Sequence, residues 1–258
     1  MRSVSDFENL NSDNNIDLMN TISYGFRKTF DNAKLWIIGS IILFFGYAIL
    51  SGVVNYTTAS TGEVNGYYTT IQLIPFLITF FLTPIIIGLA LYEFDNDNAK
   101  FSDINKNIDY VNCLKFSGIL YVVGLAIIGI ISMISSYTFL APLSSSDTVN
   151  LNDNSTPLIL FGVLFVVVLL VSFFVSPFFM FTTWLAADKK TTVKESFVQG
   201  FEIGKKHYTT ILLWSLTLTI LSIMVSIITL GLAMIIIMPA LYLSEAFLYR
   251  QILELESE

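Results

Sequence analysis

"LTPIIIGLALYEFD", residues 82–95, is an apolar run with a proline near its start and an acid at its end. The same pattern returns twice, as "VSPFFMFTTWLAAD" at 175–188 and "MPALYLSEAFLYR" at 238–250. In each copy a charge follows the proline by eleven positions: Asp95 after Pro84, Asp188 after Pro177, Arg250 after Pro239. Eleven helical residues rise about 16 Å, so a proline at mid-membrane would set each charge at an interface. Membrane helices tolerate such prolines. The carbonyls they free, near residues 80, 173 and 235, are expected to be satisfied by neighbours such as Thr83 and Ser176 as the helix kinks for packing. The alternative is that they line a polar cavity.

The rest of the chain fits a bilayer. Of 258 residues, 54% are hydrophobic, 13% are charged and 22 are Phe, with a mean hydropathy of +0.71. A soluble domain of this length could not hide so much apolar surface. The net charge of −7 offers phosphates no basic patch, which excludes nucleic acid as a partner. A single cysteine, Cys113, and a single histidine, His207, exclude an intrachain disulfide and a Cys- or His-based metal cluster. No cofactor is implied.

Residues 1–15 read as a polar, disordered tail and 16–254 as one transmembrane domain. Six stretches are long enough to span, near 35–54, 69–92, 114–139, 158–184, 209–229 and 232–250. The last two form a hairpin if Gly231 supplies the turn. The first is read as a retained helix, because no basic region and no cleavage site flank it as in a signal peptide. All 13 Lys and Arg residues fall in the N-terminus, in 100–115, in 189–206 or at Arg250, and none falls in the other two loops. By the positive-inside rule both termini and both basic loops are cytoplasmic. Trp36, Trp184 and Trp214 would then form an inner aromatic belt, with Tyr56, Tyr67, Tyr68 and Tyr137 in an outer one. Two outer sequons, at Asn55 and Asn154, read as chance occurrences.

An amphipathic segment precedes each odd-numbered span. Leu18, Ile22, Phe26 and Phe30 form one stripe; Phe101, Ile104, Ile108 and Val111 a second; Val193, Phe197 and Phe201 a third. Thr192 and Glu195 have the spacing of a capping box. The fold class is therefore all-α and polytopic: six transmembrane helices in three hairpins, each preceded by a cytoplasmic amphipathic helix.

Polar positions inside the spans are few. Glu245 is an ionisable residue within the last run, by default a functional candidate. It lies about 140° around the helix from Arg250, a poor position for pairing. Lys115 is a possible partner across helices, and snorkelling to the interface is the competing explanation. Glu93 and His207 read as interfacial residues. Ser215, Thr219, Ser222 and Ser226 share one face, as do Ser132 and Ser136, a spacing that usually marks close helix packing. No catalytic motif appears.

The stretches "ISYGFRKTFDNAKLWIIG", "FSDINKNIDYVNCLKFSGIL", "AADKKTTVKESFVQGFEIGKKHY" and "MPALYLSEAFLYRQI" resemble the YciC-like family of small prokaryotic membrane proteins. That family is similar to the membrane domain of some glycerophosphodiester phosphodiesterases. The resemblance runs over residues 20–252, and Tyr249 and Arg250 match its late Tyr-Arg. It implies a six-span inner-membrane protein; it carries no catalytic residue, and the phosphodiesterase domain is absent. The expectation is a non-enzymatic scaffold or accessory subunit in the cytoplasmic membrane, with the lipid bilayer and another membrane protein as partners. The alternative is a transporter or lipid-handling protein with a midplane polar site at Glu245.

Overall fold

A computed structural model describes residues 16–61, 66–96, 99–103, 108–135, 155–188 and 191–257. The described residues form eight α-helices: α1 Leu18–Asp31, α2 Ala33–Thr61, α3 Gly66–Asn96, α4 Tyr110–Ser135, α5 Ser155–Asp188, α6 Val193–Lys206, α7 Tyr208–Ile228 and α8 Met234–Ser257. One 3-10 turn, Phe101–Asp103, joins them, and no strand is present among these residues. Residues 1–15, 62–65 and 136–154, the last including Ser136, Tyr137 and Asn154, and the side chains of Asn55, Tyr56, Tyr67, Tyr68 and Ser132 lie outside what is described.

Two of the three amphipathic helices are present with strong starts. Asp17 caps α1 by accepting the N–H of Met19 at 2.9 Å and of Asn20 at 3.1 Å. Thr192 and Glu195 close the expected capping box on α6. At Asn32 the chain turns through 89° from α1 into α2, as an interfacial helix feeding a span would. The middle segment differs from its expectation. Only Phe101–Asp103 is helical, residues 104–107 are outside the described set, and 108–109 are not helical. The reason is local: Asp109 caps α4 by accepting the N–H of Asn112, while its own N–H bonds the carbonyl of Ala187. A residue serving both partners cannot continue an upstream helix. Phe101 and Val111 stay exposed.

The count of spans is also corrected. Among the described residues, three helical stretches are long and apolar enough to cross a membrane, Leu77–Asn96, Val166–Asp188 and Tyr208–Ile228, or four if α1 and α2 are one bent span. The expected six are not met. Helix α8 fails because Glu245, Arg250, Gln251 and Glu254 dilute its apolar run. Tyr110–Ala126 of α4 is too short as described.

Packing follows a cyclic rule. The two most extensive helix contacts are α1 on α8 and α6 on α5. Both use small residues at steps of four: Thr21, Gly25 and Thr29 on α1, Ser196, Gly200 and Gly204 on α6, all buried. A Cβ at Gly25 would stand 2.8 Å from Ser244 Cβ and closer still to Ala240 O. A Cβ at Gly200 would meet Thr182 Cα at 2.7 Å, and one at Gly204 would meet Phe178 Cα at 2.7 Å. In the middle repeat Ile108 fills the equivalent place against Gly88 of α3. Each hairpin's lead segment thus docks on the second helix of the preceding hairpin, and α1 closes the ring on the last. Close approach of backbones over glycine is how apolar helices associate where lipid removes the hydrophobic drive.

The core is at the end of the bundle where the proline-to-charge segments of α3, α5 and α8 converge. Leu89, Ala90 and Leu91 meet Phe181 and Leu185, with Leu243, Ala246, Leu248 and Tyr249 from α8. Trp36, Trp184 and Trp214 are buried in it, so the inner aromatic belt is not where these indoles lie. The other halves of α2, α5 and α7 present exposed Ile, Leu, Val and Phe.

Candidate functional site

Position 11 of each repeat comes to one point. The Arg250 guanidinium forks onto Asp188, with Nη1 to Oδ2 at 2.6 Å and Nη2 to Oδ1 at 3.1 Å, and Nη2 also reaches Asp95 Oδ2 at 2.7 Å. The Tyr249 hydroxyl donates to Asp188 at 3.2 Å. One cation with two carboxylates satisfies the planar geometry Arg prefers and ties α3, α5 and α8 together. The sequence placed these three charges at equivalent positions. The pairing itself depends on the ring.

A second set of polar contacts repeats around the same end. Asn32 donates to Glu93 Oε2 at 2.7 Å and to Ala99 O at 2.9 Å. Asn112 donates to the carbonyls of Ala186 and Thr191. His207 pairs with Glu256 at 2.7 Å, and Lys206 joins it at 2.8 Å. Each residue at the entry of a first helix therefore holds the end of that hairpin's second helix. Glu93 is buried and accepts the N–H of Ala99 as well, which corrects its expected solvation. Hydrogen bonds from Lys206 and His207 hold the Glu256 carboxyl below the usual carboxylate range. The capping bonds from Thr192 do the same for Glu195.

The prolines serve packing. Pro84, Pro177 and Pro239 are all buried. The Phe173 carbonyl that Pro177 leaves free accepts the Ser176 hydroxyl at 2.9 Å. The carbonyls three residues before Pro84 and Pro177 accept the hydroxyls of Tyr110 at 3.2 Å and Tyr208 at 3.1 Å. Those tyrosines come from the start of the following repeat.

Glu245 stands apart from all of this. It lines a groove of about 500 Å³ between α7 and α8, with Trp214, Ser215, Thr219, Ser222, Ser226 and Leu241. Its carboxyl hydrogen-bonds the indole of Trp184 on α5. Lys115 is exposed on α4 and is not among the lining residues, so the suggested Lys115–Glu245 pair is not formed. The hydroxyl face of α7, expected to pack closely, instead lines this opening. Ile223 and Ile227 form one wall and are 53% and 71% exposed, so the groove opens toward the apolar surface of the bundle. Two of its polar atoms, Trp214 Nε1 and Ser226 Oγ, are buried without a partner. No cluster of three or more metal-ligating side chains occurs among the described residues.

The groove was half legible: the shared face of Ser215, Thr219, Ser222 and Ser226 is visible in sequence. Its partner face on α8 is not. The Arg250 cluster and the Gly25, Gly200 and Gly204 contacts were missed, although the steps of four in Thr21, Gly25 and Thr29 were available as a signal.

Compared with known proteins, the chain matches no family model, no curated protein and no solved structure.

Proposed function

We propose that the chain is a non-enzymatic, multi-pass protein of the cytoplasmic membrane that takes an amphipathic small molecule from the bilayer into the α7/α8 groove. The proposal includes both termini on the cytoplasmic side and kinship with the YciC-like proteins it resembles. The observation that carries it is the groove itself: an acid and a row of hydroxyls beside exposed Ile223 and Ile227. A bundle serving only as a scaffold has no use for an open polar face that costs desolvation and packing. Transport or lipid handling therefore takes precedence over the accessory-subunit reading. The accessory reading is favoured by one observation, the exposed Phe197, Val198 and Phe201 on α6. However, among the described residues the middle segment of the three-helix docking collar it relied on is helical only at Phe101–Asp103 before α4 begins.

Native mass spectrometry of the full chain, extracted in mild detergent, tests the groove reading. An amphiphile should co-purify with the wild type and be lost from Ser222→Trp, which fills the groove. Equal adducts on both proteins, or none on either, would contradict it. The topology has its own check. Glu63→Cys and Asp147→Cys should react with an impermeant maleimide on intact cells, and Ser102→Cys should not.

A further inference from the structure

The groove has an asymmetric set of polar groups. Its only charged lining residue is Glu245, and no Lys, Arg or His lines it among the described residues. Around the acid are the hydroxyls of Ser215, Thr219, Ser222 and Ser226, each able to donate or accept. Trp214 also lines the groove, with its Nε1 turned into the protein and out of reach of the opening. Ile223, Ile227, Met234 and Leu241 supply apolar contact along the same opening.

Resting on the groove reading above, we propose that this site recognises a lipophilic amine whose head also carries an oxygen acceptor. The amine meets Glu245, the oxygen meets the hydroxyls of Ser215, Thr219 and Ser222, and the aliphatic chain lies against Ile223 and Ile227. The reasoning is one of charge and hydrogen-bond complementarity. A carboxyl in an apolar setting is stable as a neutral acid or as half of an ion pair, and an amine supplies the other half by taking up the proton. An anionic head, whether a free phosphate or a fatty acid, would face Glu245 with no cation to offset the repulsion. A plain alkane would make no use of Glu245 or of the hydroxyls of Ser215, Thr219 and Ser222. Entry from the bilayer follows from the exposed isoleucines at the mouth. An amphiphile already partitioned into lipid reaches the groove without crossing water.

The amine could be part of a membrane lipid head or a free amphiphile, and the test separates the two. The full chain is reconstituted in phosphatidylcholine nanodiscs and titrated with 2-amino-1-dodecanol and with 1,2-dodecanediol, following tryptophan fluorescence. The wild type should bind the amine about tenfold more tightly than the diol, the discrimination expected when a hydrogen bond to a charged group is made or lost. Glu245→Gln should lower amine binding to the level of the diol, and Thr219→Val should weaken both ligands together. Repeating the titration with phosphatidylethanolamine in the nanodisc identifies the source. Competition assigns the site to the lipid head, and unchanged binding assigns it to a free amine. Equal binding of amine and diol by the wild type would overturn the amine proposal and leave the groove reading standing. Binding of neither would overturn both. Should Glu245→Gln misfold, Ser222→Leu serves in its place, and amine binding that survives a filled groove would sink the proposal.

Discussion

Helix α8 offers two neighbouring ridges, one residue apart, to two helices, and they do opposite things. Ala240 and Ser244 receive Gly25 of α1 so closely that no Cβ fits between them. Leu241 and Glu245 face the hydroxyl stripe of α7 and leave a groove. Both approaching helices carry small residues at helical spacing: Thr21, Gly25 and Thr29 on α1, Ser215, Ser222 and Ser226 on α7. The difference is on the receiving side. Small residues let backbones approach only where the partner is also small, and Leu241 with Glu245 holds α7 away. The covalent hairpin between α7 and α8, closed by Gly231 at φ +85°, does not override this.

Substitutions at the two ridges should separate sharply. Gly25→Leu has to push apart the Ala240 and Ser244 backbone and should cost about 3 kcal/mol or more in unfolding free energy, freeing α1 from α8. Hydrogen exchange over residues 18–31 should rise with it. Ser222→Leu adds the same side chain to the open face and should shift stability by less than about 0.5 kcal/mol. Similar losses for the two would mean that α7 and α8 are packed as closely as α1 and α8.

The Arg250 cluster fixes α8 so that both ridges keep their partners. Arg250→Met leaves two carboxylates together at a partly enclosed site. It should cost about 2 kcal/mol, below the figure for a fully buried pair because the side chains retain some solvent. Asp188→Asn should cost more than Asp95→Asn, since Asp188 takes both prongs of the fork and the Tyr249 hydroxyl, whereas Asp95 takes one bond and is more exposed. A reversed order in thermal unfolding would contradict the assigned geometry.

How much of this was legible in sequence depends on the range of the interaction. Local signals held: the capping box at Thr192 and Glu195, the turn at Gly231, and the threefold spacing of Pro84, Pro177 and Pro239. The middle amphipathic helix failed because its apolar spacing competes with Asp109, whose capping of α4 needs a break there. The tryptophans failed because a belt position and a core position have the same hydropathy. Glu93 failed because its partner, Asn32, is sixty-one residues away in the chain. Glu245, the one polar residue in 238–250 that the repeat leaves unexplained, lines the groove. Its surroundings required the ridges of two helices, which no single helix encodes.

The smallest effect lies at the C-terminal end of α8. Glu256 has a carboxyl held below its ordinary range, so its pairing with Lys206 and His207 stabilises the fold above the unfolded carboxylate value and is lost as pH falls through the folded one. The contribution is below about 1 kcal/mol, because the site is largely solvated. Protection factors at residues 252–257, which remove the intrinsic slowing of amide exchange in acid, should therefore fall on acidification for the wild type and stay unchanged over the same pH step in Glu256→Gln.

The claim that the α7 hydroxyl face lines an open groove is tested most directly by a nitroxide at position 222. The label is attached to Ser222→Cys in a Cys113→Ser background and read by electron paramagnetic resonance in nanodiscs, with Thr29→Cys as the packed reference. The structure predicts a mobile label at 222 that relaxes readily with dissolved oxygen in the lipid phase, and an immobile, shielded one at 29. A label at 222 as immobile and shielded as that at 29 would contradict the groove and the function built on it.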